Sequence, residues 1–385
     1  MKITRVSSRR ELKEFIFFPA SLYQDDPFWV PPLWWEERKS YNKKNNPILK
    51  NTDFILLLAK ENGRVVARNL VYIDYAFNKY YRSRVGFFGA FESINDSEIV
   101  RLLMKESEKW LASQGMESIR GPIHPVAENW GFLYEGFESS PVYLSPYNFR
   151  YYNDLFDGLG YRKAKDLLAY EASGPDGYIV PERFFNFYNM FLKRRPNFSL
   201  RKLRIKDLEE DAKHIWHLAN ESLKNNWGYV PVDYNVVKDM IKRLRLIVDV
   251  DAVWFVEDRG EPVAFCLGYP DLNIIIKEIR GCLFPAGFIK ILLKNKRLKD
   301  YRLFALAVHP GYHSLGLDVL LYVHLYNSLS PKKIRLEVNY ILEDNYRIKN
   351  AVEKLKLRYI KKYLSLIHIS EPTRPLYISY AVFCL

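Results

Sequence analysis

The chain has 385 residues and a formal net charge of +13, from 58 Lys and Arg against 45 Asp and Glu. This basicity favours anionic partners, namely phosphate-bearing molecules, nucleic acid or an anionic membrane surface. The three cysteines, Cys266, Cys282 and Cys384, are too few and too scattered for a disulfide framework or a zinc site, so a reducing cytoplasm and no metal are expected.

The first half of the chain alternates strand and helix patterns. Two β-rich runs flank Glu61-Asn62-Gly63-Arg64, which is typical of a hairpin turn. Asn95 or Asp96 is expected to cap the next helix, and Gly115 to end it. The predicted elements are a strand at 3–6, a helix at 10–23, a hairpin of 54–60 and 65–74, a strand at 85–94, a helix ending at 114, a strand from 118, a helix at 147–159 and a strand at 167–172.

A Gly- and Pro-containing segment at 173–177 marks a boundary, after which the order of elements repeats. We therefore predict a mixed α/β fold of two duplicated units, 1–175 and 201–363, joined by 176–200. The elements of the second half are a connecting helix at 181–193, a strand at 203–205, a helix at 209–225, a hairpin of 252–257 and 262–268, a strand at 303–308, a helix at 319–326, a strand at 334–340 and a helix at 345–356.

One strand-to-helix turn in the second unit has a chemical meaning. It runs Val308-His309-Pro310-Gly311-Tyr312-His313-Ser314-Leu315-Gly316-Leu317-Asp318. A glycine-containing turn of this kind directs backbone N–H groups and the positive end of a helix at one place. Such a place suits a pyrophosphate.

This turn and the order of elements resemble the GNAT superfamily of acyl-CoA N-acyltransferases. The CoA loop of that family has the pattern Arg/Gln-x-x-Gly-x-Gly/Ala, and here it is His313-Ser314-Leu315-Gly316-Leu317-Asp318. The resemblance implies that acyl-CoA or acetyl-CoA is the co-substrate. It also implies that the CoA-binding residues are Leu306, Val308, His313, Ser314, Gly316, Leu317, Asp318 and Asn345.

Five further segments are distinctive, at 23–32, 86–89, 120–125, 226–231 and 342–345. With them, the chain to about Tyr363 resembles the bacterial ceramide-synthase-like branch of the superfamily, whose members look like tandem GNAT units. The resemblance implies transfer of an acyl group from a CoA thioester to an amine, with a sphingoid base or another lipid-like amine as the acceptor. Two alternatives stay open: a catalytically inactive GNAT-fold binding protein, and an aminoacyl-tRNA-dependent transferase.

Amide formation from a thioester requires loss of the amine's proton, polarisation of the carbonyl and departure of the thiolate. The resemblance implies that the strand at 303–308 donates a backbone N–H to the carbonyl. Glu337, on the next strand, is the leading candidate for the base. The structural alternative is a strand-end carboxylate paired to Arg335 or Lys333.

Glu343 and His309 are the other catalytic candidates. Glu343 and Asn345 precede a helix, so either can equally serve as an N-cap residue. His309 flanks the predicted CoA turn and can contact a phosphate, act as a base or lie in solvent.

The first unit lacks the glycine turn and has Phe91-Glu92-Ser93-Ile94-Asn95-Asp96 in its place. With two acids and no glycine, this segment is expected to repel a pyrophosphate. We therefore expect the first unit to shape the amine site without binding CoA. The candidate substrate-contacting residues are Trp227, Tyr229, His124, Glu128 and Asn339.

Residues 280–299 mix bulky apolar side chains with Arg and Lys. Two interpretations are open: a helix lying on an anionic membrane surface, or a core helix with a solvated basic end. The expected location is the cytoplasm, with peripheral contact at the inner membrane face through this segment. No nucleic-acid partner is expected.

The tail from 364 to 385 resembles the translation product of a sequencing adapter and is expected to be non-native. It includes His368 and Cys384, for which no functional role is expected. Residues 366–369 are nevertheless rich in β-formers and can extend a strand.

Overall fold

The computed structural model describes residues 1–46, 49–124, 130–174, 178–238 and 248–369. It confirms the mixed α/β prediction. The elements of the first half are β1 (Lys2–Arg5), α1 (Arg9–Leu22), α2 (Trp34–Ser40), β2 (Thr52–Glu61), β3 (Arg64–Asp74), α3 (Tyr75–Tyr81), β4 (Val85–Ser93), α4 (Ser97–Ser113), β5 (Ser118–Gly121), β6 (Phe132–Glu135), α5 (Tyr151–Gly158) and β7 (Arg162–Ala172).

The second half repeats this order of elements. The strand predicted at 203–205 was misplaced: the strand lies earlier, at β8, where Phe198 pairs with Asp258. The elements are α6 (Glu182–Arg194), β8 (Phe198–Lys202), α7 (Leu208–Leu223), β9 (Val253–Asp258), β10 (Glu261–Pro270), α8 (Asn273–Glu278), α9 (Ala286–Lys294), β11 (Asp300–Val308), α10 (Leu317–Leu329), β12 (Arg335–Leu342), α11 (Tyr346–Lys354) and β13 (Arg358–Ile369). None of the described helices is long and apolar enough to cross a membrane.

The thirteen strands of the described residues belong to one sheet. The order is β1-β2-β3-β4-β5-β13-β7-β12-β11-β10-β9-β8, and β6 pairs with β13. Strands β1–β5 of the first half correspond to β8–β12 of the second, and β7 corresponds to β13. With these counterparts exchanged, the order reads the same from either edge of the sheet. The two units are therefore related by a pseudo-twofold axis between β13 and β7.

The last strand of each unit is shared at the centre of the sheet. β13, from the second half, lies between β5 and β7 of the first half, and β7 pairs in turn with β12. β13 continues through Leu366, which is buried, to Ile369. Part of the segment expected to be non-native therefore completes the described sheet, while residues 370–385 lie outside the described residues.

The two hairpins confirm the turn predictions. Asn62 and Gly63 both have positive φ, and so do Arg259 and Gly260, as a two-residue turn matched to strand twist requires. The pairs that close the turns are Glu61 with Arg64 and Asp258 with Glu261.

Each unit contains a pair of parallel strands whose pairing stops well before the longer strand ends. β4 and β5 pair over 85–87 and 118–120, and β11 and β12 pair over 300–303 and 335–338. Beyond these residues the strands diverge. Two wedge-shaped openings result, one in each half of the sheet.

Candidate functional site

A cavity of about 230 Å³ lies in the first unit, where β4 and β5 diverge. Its walls include Phe91 and Glu92 of β4 and His124 of the segment after β5. Asn273 and Ile276, on α8 of the second half, also line it. Both halves of the chain thus contribute to the cavity.

The backbone of β4 explains where the opening begins. The Phe88 carbonyl accepts a hydrogen bond from the Ile123 N–H at 2.7 Å. At Gly89 the strands are so close that a Cβ atom would lie 2.3 Å from the Ile123 oxygen, so only glycine is tolerated there. The next residue, Ala90, has a φ of 47°, and the pairing of β4 with β3 contains a bulge at this point.

Three charged side chains are buried beside the cavity. The guanidinium of Arg68 lies 3.7 Å from a carboxylate oxygen of Glu37 and 3.8 Å from one of Glu92. Arg68 also donates to the Phe15 carbonyl at 2.8 Å. Its side chain is 6% exposed, and those of Glu37 and Glu92 are 12% and 13% exposed, so water screens these charges weakly.

Tyrosine hydroxyls complete the hydrogen bonding of the two carboxylates. Glu37 accepts from Tyr41 at 2.6 Å, and Glu92 accepts from Tyr23 at 2.7 Å and from Tyr152 at 2.9 Å. Burial raises the pKa of Glu92, although Arg68 and the hydroxyls oppose this shift. With two carboxylates to one guanidinium, the cavity favours a cationic ligand.

His124 lines the same cavity. Burial lowers its pKa, and the nearby Arg68 charge acts in the same direction, whereas Glu37 opposes them. Its Nδ1 has no hydrogen-bond partner among the described residues. The neutral imidazole is therefore favoured at neutral pH, and this is the form that accepts a proton. Glu128, the other substrate residue predicted in this unit, lies outside the described residues.

Glu337 and Asn339 belong to a buried cluster at the centre of the sheet. Asn339 donates to Glu337 at 2.7 Å and to the Ser145 hydroxyl at 3.1 Å, and it accepts from Arg302. Burial raises the pKa of Glu337, while Lys361 and other cations oppose the shift. Burial lowers the pKa of Lys361 to about 8.

The Ser145–Asn339 hydrogen bond joins the two openings in the sheet. Ser145 lines the first-unit cavity, and Asn339 is the residue after Val338, where the pairing of β11 with β12 ends. Glu337 is 1% exposed and lies behind this contact.

The predicted CoA turn is packed closely. Gly316 has a φ of 74°, and a Cβ atom there would lie 2.7 Å from the Phe187 ring. Asp318, at the start of α10, accepts from its own N–H and that of Val319, and burial raises its pKa. His313 bonds the Val308 carbonyl at 2.8 Å. Around them, Leu306 is half-buried on β11, Leu317 is buried and Ser314 is exposed.

The remaining catalytic candidates, His309 and Glu343, and the CoA-binding candidate Asn345 are held by hydrogen bonds outside the cavity. His309 accepts the Gly311 N–H at 3.2 Å through Nδ1. Burial acts to raise the pKa of Glu343, but the hydrogen bond from Lys163 at 2.8 Å, the Asp166 N–H and the Lys165 charge together lower it. Asn345 accepts the Ile348 N–H at 3.2 Å and caps α11.

Trp227 and Tyr229 lie against the first unit, outside the residues that line the cavity. The Arg120 guanidinium stands 3.7 Å above the Trp227 ring. The Tyr229 hydroxyl donates to Asn220 at 2.6 Å, and its carbonyl accepts from Tyr81 at 2.8 Å. Of the predicted substrate residues that the structure describes, it thus places only His124 in the cavity wall.

Arg68, Glu37 and Glu92 were not identified as a site from the sequence. Arg68 and Asn69 interrupt the otherwise apolar run of β3, and both are buried. A charged residue inside an apolar strand must find buried partners, so this interruption was the usable signal.

Comparisons with known proteins agree with this architecture. No family model matches the chain. The chain is 30% identical over 367 residues to Protein YghO of Escherichia coli (strain K12), with 92% of each covered. It is 27% identical over 376 residues to the bacterial ceramide synthase of Caulobacter vibrioides (strain NA1000 / CB15N), covering 94% of this chain and 96% of that protein.

A solved tandem GNAT protein from the clavulanic acid biosynthesis pathway has the same fold. It superposes with a TM-score of 0.57, covering 97% of this chain and 99% of its own, at 10% identity. This likeness confirms the prediction of two tandem GNAT-like units.

Proposed function

Because the chain belongs to the family of Protein YghO, has the tandem GNAT fold and is similar to a bacterial ceramide synthase, we propose that it is an N-acyltransferase. It joins the acyl group of a thioester to an amine. The observation that supports this most directly is the buried cavity, which offers carboxylates for an ammonium group and a neutral imidazole for its proton.

The amine binds in the first-unit cavity in this proposal. An alkylammonium group has a pKa near 10 and arrives charged, which suits the excess of carboxylate over guanidinium. Glu37 and Glu92 hold the ammonium, and His124 accepts its proton. The acyl donor lies along the open edge of β11, beyond Leu303, where main-chain N–H groups polarise the carbonyl.

The reaction replaces the C–S bond of the thioester with a C–N bond and moves two protons from the nitrogen. The ammonium loses one proton to His124, and its nitrogen forms the C–N bond to the thioester carbonyl. The C–S bond then breaks, and a second proton from the nitrogen reaches the sulfur to give the free thiol. The products are an amide, a thiol and protonated His124, which returns its proton to water.

The class of acceptor amine is argued from one of the relatives. One relative is a ceramide synthase, and a ceramide contains an acyl chain in amide linkage to a long-chain amine. We extend this class of acceptor, a lipid-like amine, to the present chain. The donor in this proposal is acyl-CoA.

The direct test is incubation of the purified protein with long-chain and short-chain acyl-CoAs and with sphingoid or other amines. We expect release of free thiol, detected with a chromogenic disulfide, together with an amide product of the summed mass less the thiol. Amine-dependent thiol release is the critical comparison, because thioester hydrolysis alone needs no amine. Absence of an amide with every donor and amine would contradict the proposal.

The CoA turn gives a second prediction, because both helix ends that could face a pyrophosphate carry an aspartate. Asp318 lies in the first turn of α10, at its N-terminus, and Asp96 caps the N-terminus of α4 by accepting the Glu98 and Ile99 N–H groups. Replacing Asp318 with asparagine should tighten CoA binding about three- to tenfold, since one negative charge leaves a helix N-terminus. Isothermal calorimetry measures this change.

Asp96→Asn is the matched control, because asparagine caps a helix as well as aspartate does. It should leave CoA affinity unchanged if the donor binds in the second unit. A gain with Asp96→Asn alone would move the donor site to the first unit. Tight CoA binding without turnover in any variant would favour the inactive binding protein.

A further inference from the structure

An exposed apolar surface lies next to the cavity, on the segment between β10 and β11. α9 buries Gly287 and Ile291 against the chain, yet its outer side is also apolar. Ile289 is 58% exposed, Leu292 43% and Leu293 70%. A helix that only covers a core would present polar residues to water on that side.

Aromatic residues extend this surface across both units. Phe284, 62% exposed, makes an edge contact with Trp35 of α2, 47% exposed, at 6.0 Å between ring centroids. We name these five residues, Trp35, Phe284, Ile289, Leu292 and Leu293, the apolar patch. Contiguous exposed apolar patches of this kind mark contact with a partner or a membrane.

The segment 280–299, which carries four of the five patch residues, is positively charged. Residues 280–299 contain six Lys and Arg and no Asp or Glu. Arg280 and Lys290 are exposed beside the patch, and the Lys39 ammonium stands 3.4 Å above the Trp35 ring. Exposed apolar groups bordered by cations are complementary to a bilayer that contains anionic lipids.

The patch and the cavity share one structural support. Ile276 lines the cavity and packs in one apolar cluster with Leu33 and with Ile291 of α9. Leu33 lies two residues before Trp35 in the sequence. A second opening, bordered by Ile274 and Lys277, adjoins the cavity wall at Val30 and Asn273. One apolar cluster therefore connects the helix that carries most of the apolar patch to the cavity wall.

We propose that the apolar patch docks the protein on an anionic bilayer, so that the amine enters the cavity directly from the lipid. Entry of the amine from the lipid rests on the proposed acyl transfer, but docking on the bilayer does not. The acceptor is then an amphiphile, with its ammonium group in the cavity and its chain towards the patch.

Vesicle co-sedimentation tests the docking. The wild-type protein should sediment with phosphatidylcholine vesicles that contain phosphatidylserine, and much less with phosphatidylcholine alone or in high salt. Leu293→Glu should reduce binding about tenfold or more, because it inserts a charge into the apolar patch, and Lys290→Glu should reduce it severalfold. Ile179→Glu, at a residue 72% exposed on a different segment, is the matched control and should bind as the wild type does.

Equal binding by Leu293→Glu and the wild type, or no wild-type binding to anionic vesicles, would overturn the docking proposal. So would a dimer in size-exclusion chromatography that Leu293→Glu converts to a monomer, since a second copy would then cover the patch. Turnover separates the two proposals: Leu293→Glu should lose activity on a vesicle-embedded amine and keep it on a short soluble amine. Vesicle binding without any amide formation would leave the docking standing and reject acyl transfer.

Discussion

Replacing Arg68 with methionine will lower the free energy of unfolding by about 3–5 kcal/mol, because two buried carboxylates then lose their only nearby cation in the described structure. Methionine fills a similar volume, so the loss reports charge and not a cavity. Urea unfolding followed by tryptophan fluorescence measures the change.

A pH series sharpens this expectation. Burial already raises the pKa of Glu92, and loss of Arg68 raises it further. A carboxyl whose pKa is raised by folding contributes stability that is fully present below its unfolded pKa, about 4.3, and is lost as the pH rises through the folded pKa. The deficit of Arg68→Met should therefore be larger at pH 8 than at pH 5.

Two controls isolate the buried charges. Arg68→Met combined with Glu37→Gln and Glu92→Gln should recover much of the lost stability, because no uncompensated charge remains. Arg101→Met removes an exposed guanidinium that also contacts a carboxylate, Glu98, and should leave the unfolding midpoint unchanged. A cost below about 1 kcal/mol for Arg68→Met would mean that water or protonation already neutralises the carboxylates.

The sequence predicted the elements and their repetition well, because local signals determine them. The hairpin turns at Asn62-Gly63 and Arg259-Gly260 and the Asp96 cap each depend on a few adjacent residues. The exchange of β7 and β13 was not predicted. It depends on pairing between residues almost two hundred positions apart, for which periodicity gives no register.

The site shows the same division. The turn around Gly316 is local and could be predicted as a turn, whereas the cavity groups come from α2, β3, β4 and the segment after β5. Glu37 has an ordinary surrounding sequence, and His124, although it lies in the distinctive segment 120–125, gives no sign in the sequence that it meets Glu37. Glu337 was proposed from its place on a strand, but its burial, and the nearby charge of Lys361 on β13, could not be predicted from that strand.

Replacing His124 with alanine will reduce kcat by about 10²- to 10⁴-fold, or roughly 3–5 kcal/mol in the barrier, if its imidazole removes the proton of the bound ammonium. Burial lowers the pKa of His124, so the neutral form persists below the ordinary value of about 6.5. The acid limb of the wild-type rate profile should therefore lie below pH 6.5. Steady-state thiol release between pH 5 and 9 measures both effects.

The lowered pKa of His124 also predicts an effect of pH on stability, opposite in direction to that of Glu92. A histidine whose pKa is lowered by folding contributes stability that is fully present above its unfolded pKa. This stability is lost as the pH falls through the folded pKa. His124→Ala should thus be less sensitive to acid than the wild type. His217→Ala, at an exposed position on α7, should keep wild-type activity and show that loss of a histidine alone has no effect.

Rescue distinguishes His124 from the other candidate base. Added imidazole should restore part of the activity of His124→Ala, because the vacated cavity can admit it, and the restored rate should follow the neutral fraction of imidazole. Glu337→Gln keeps the hydrogen bond from Asn339 and removes the buried charge beside Lys361 and Arg302. If Glu337 were the base, Glu337→Gln would abolish turnover and the acid limb together, while His124→Ala would retain both. The cavity geometry leads us to expect the reverse, because His124 borders the space that the amine occupies and Glu337 is separated from it by Asn339 and Ser145.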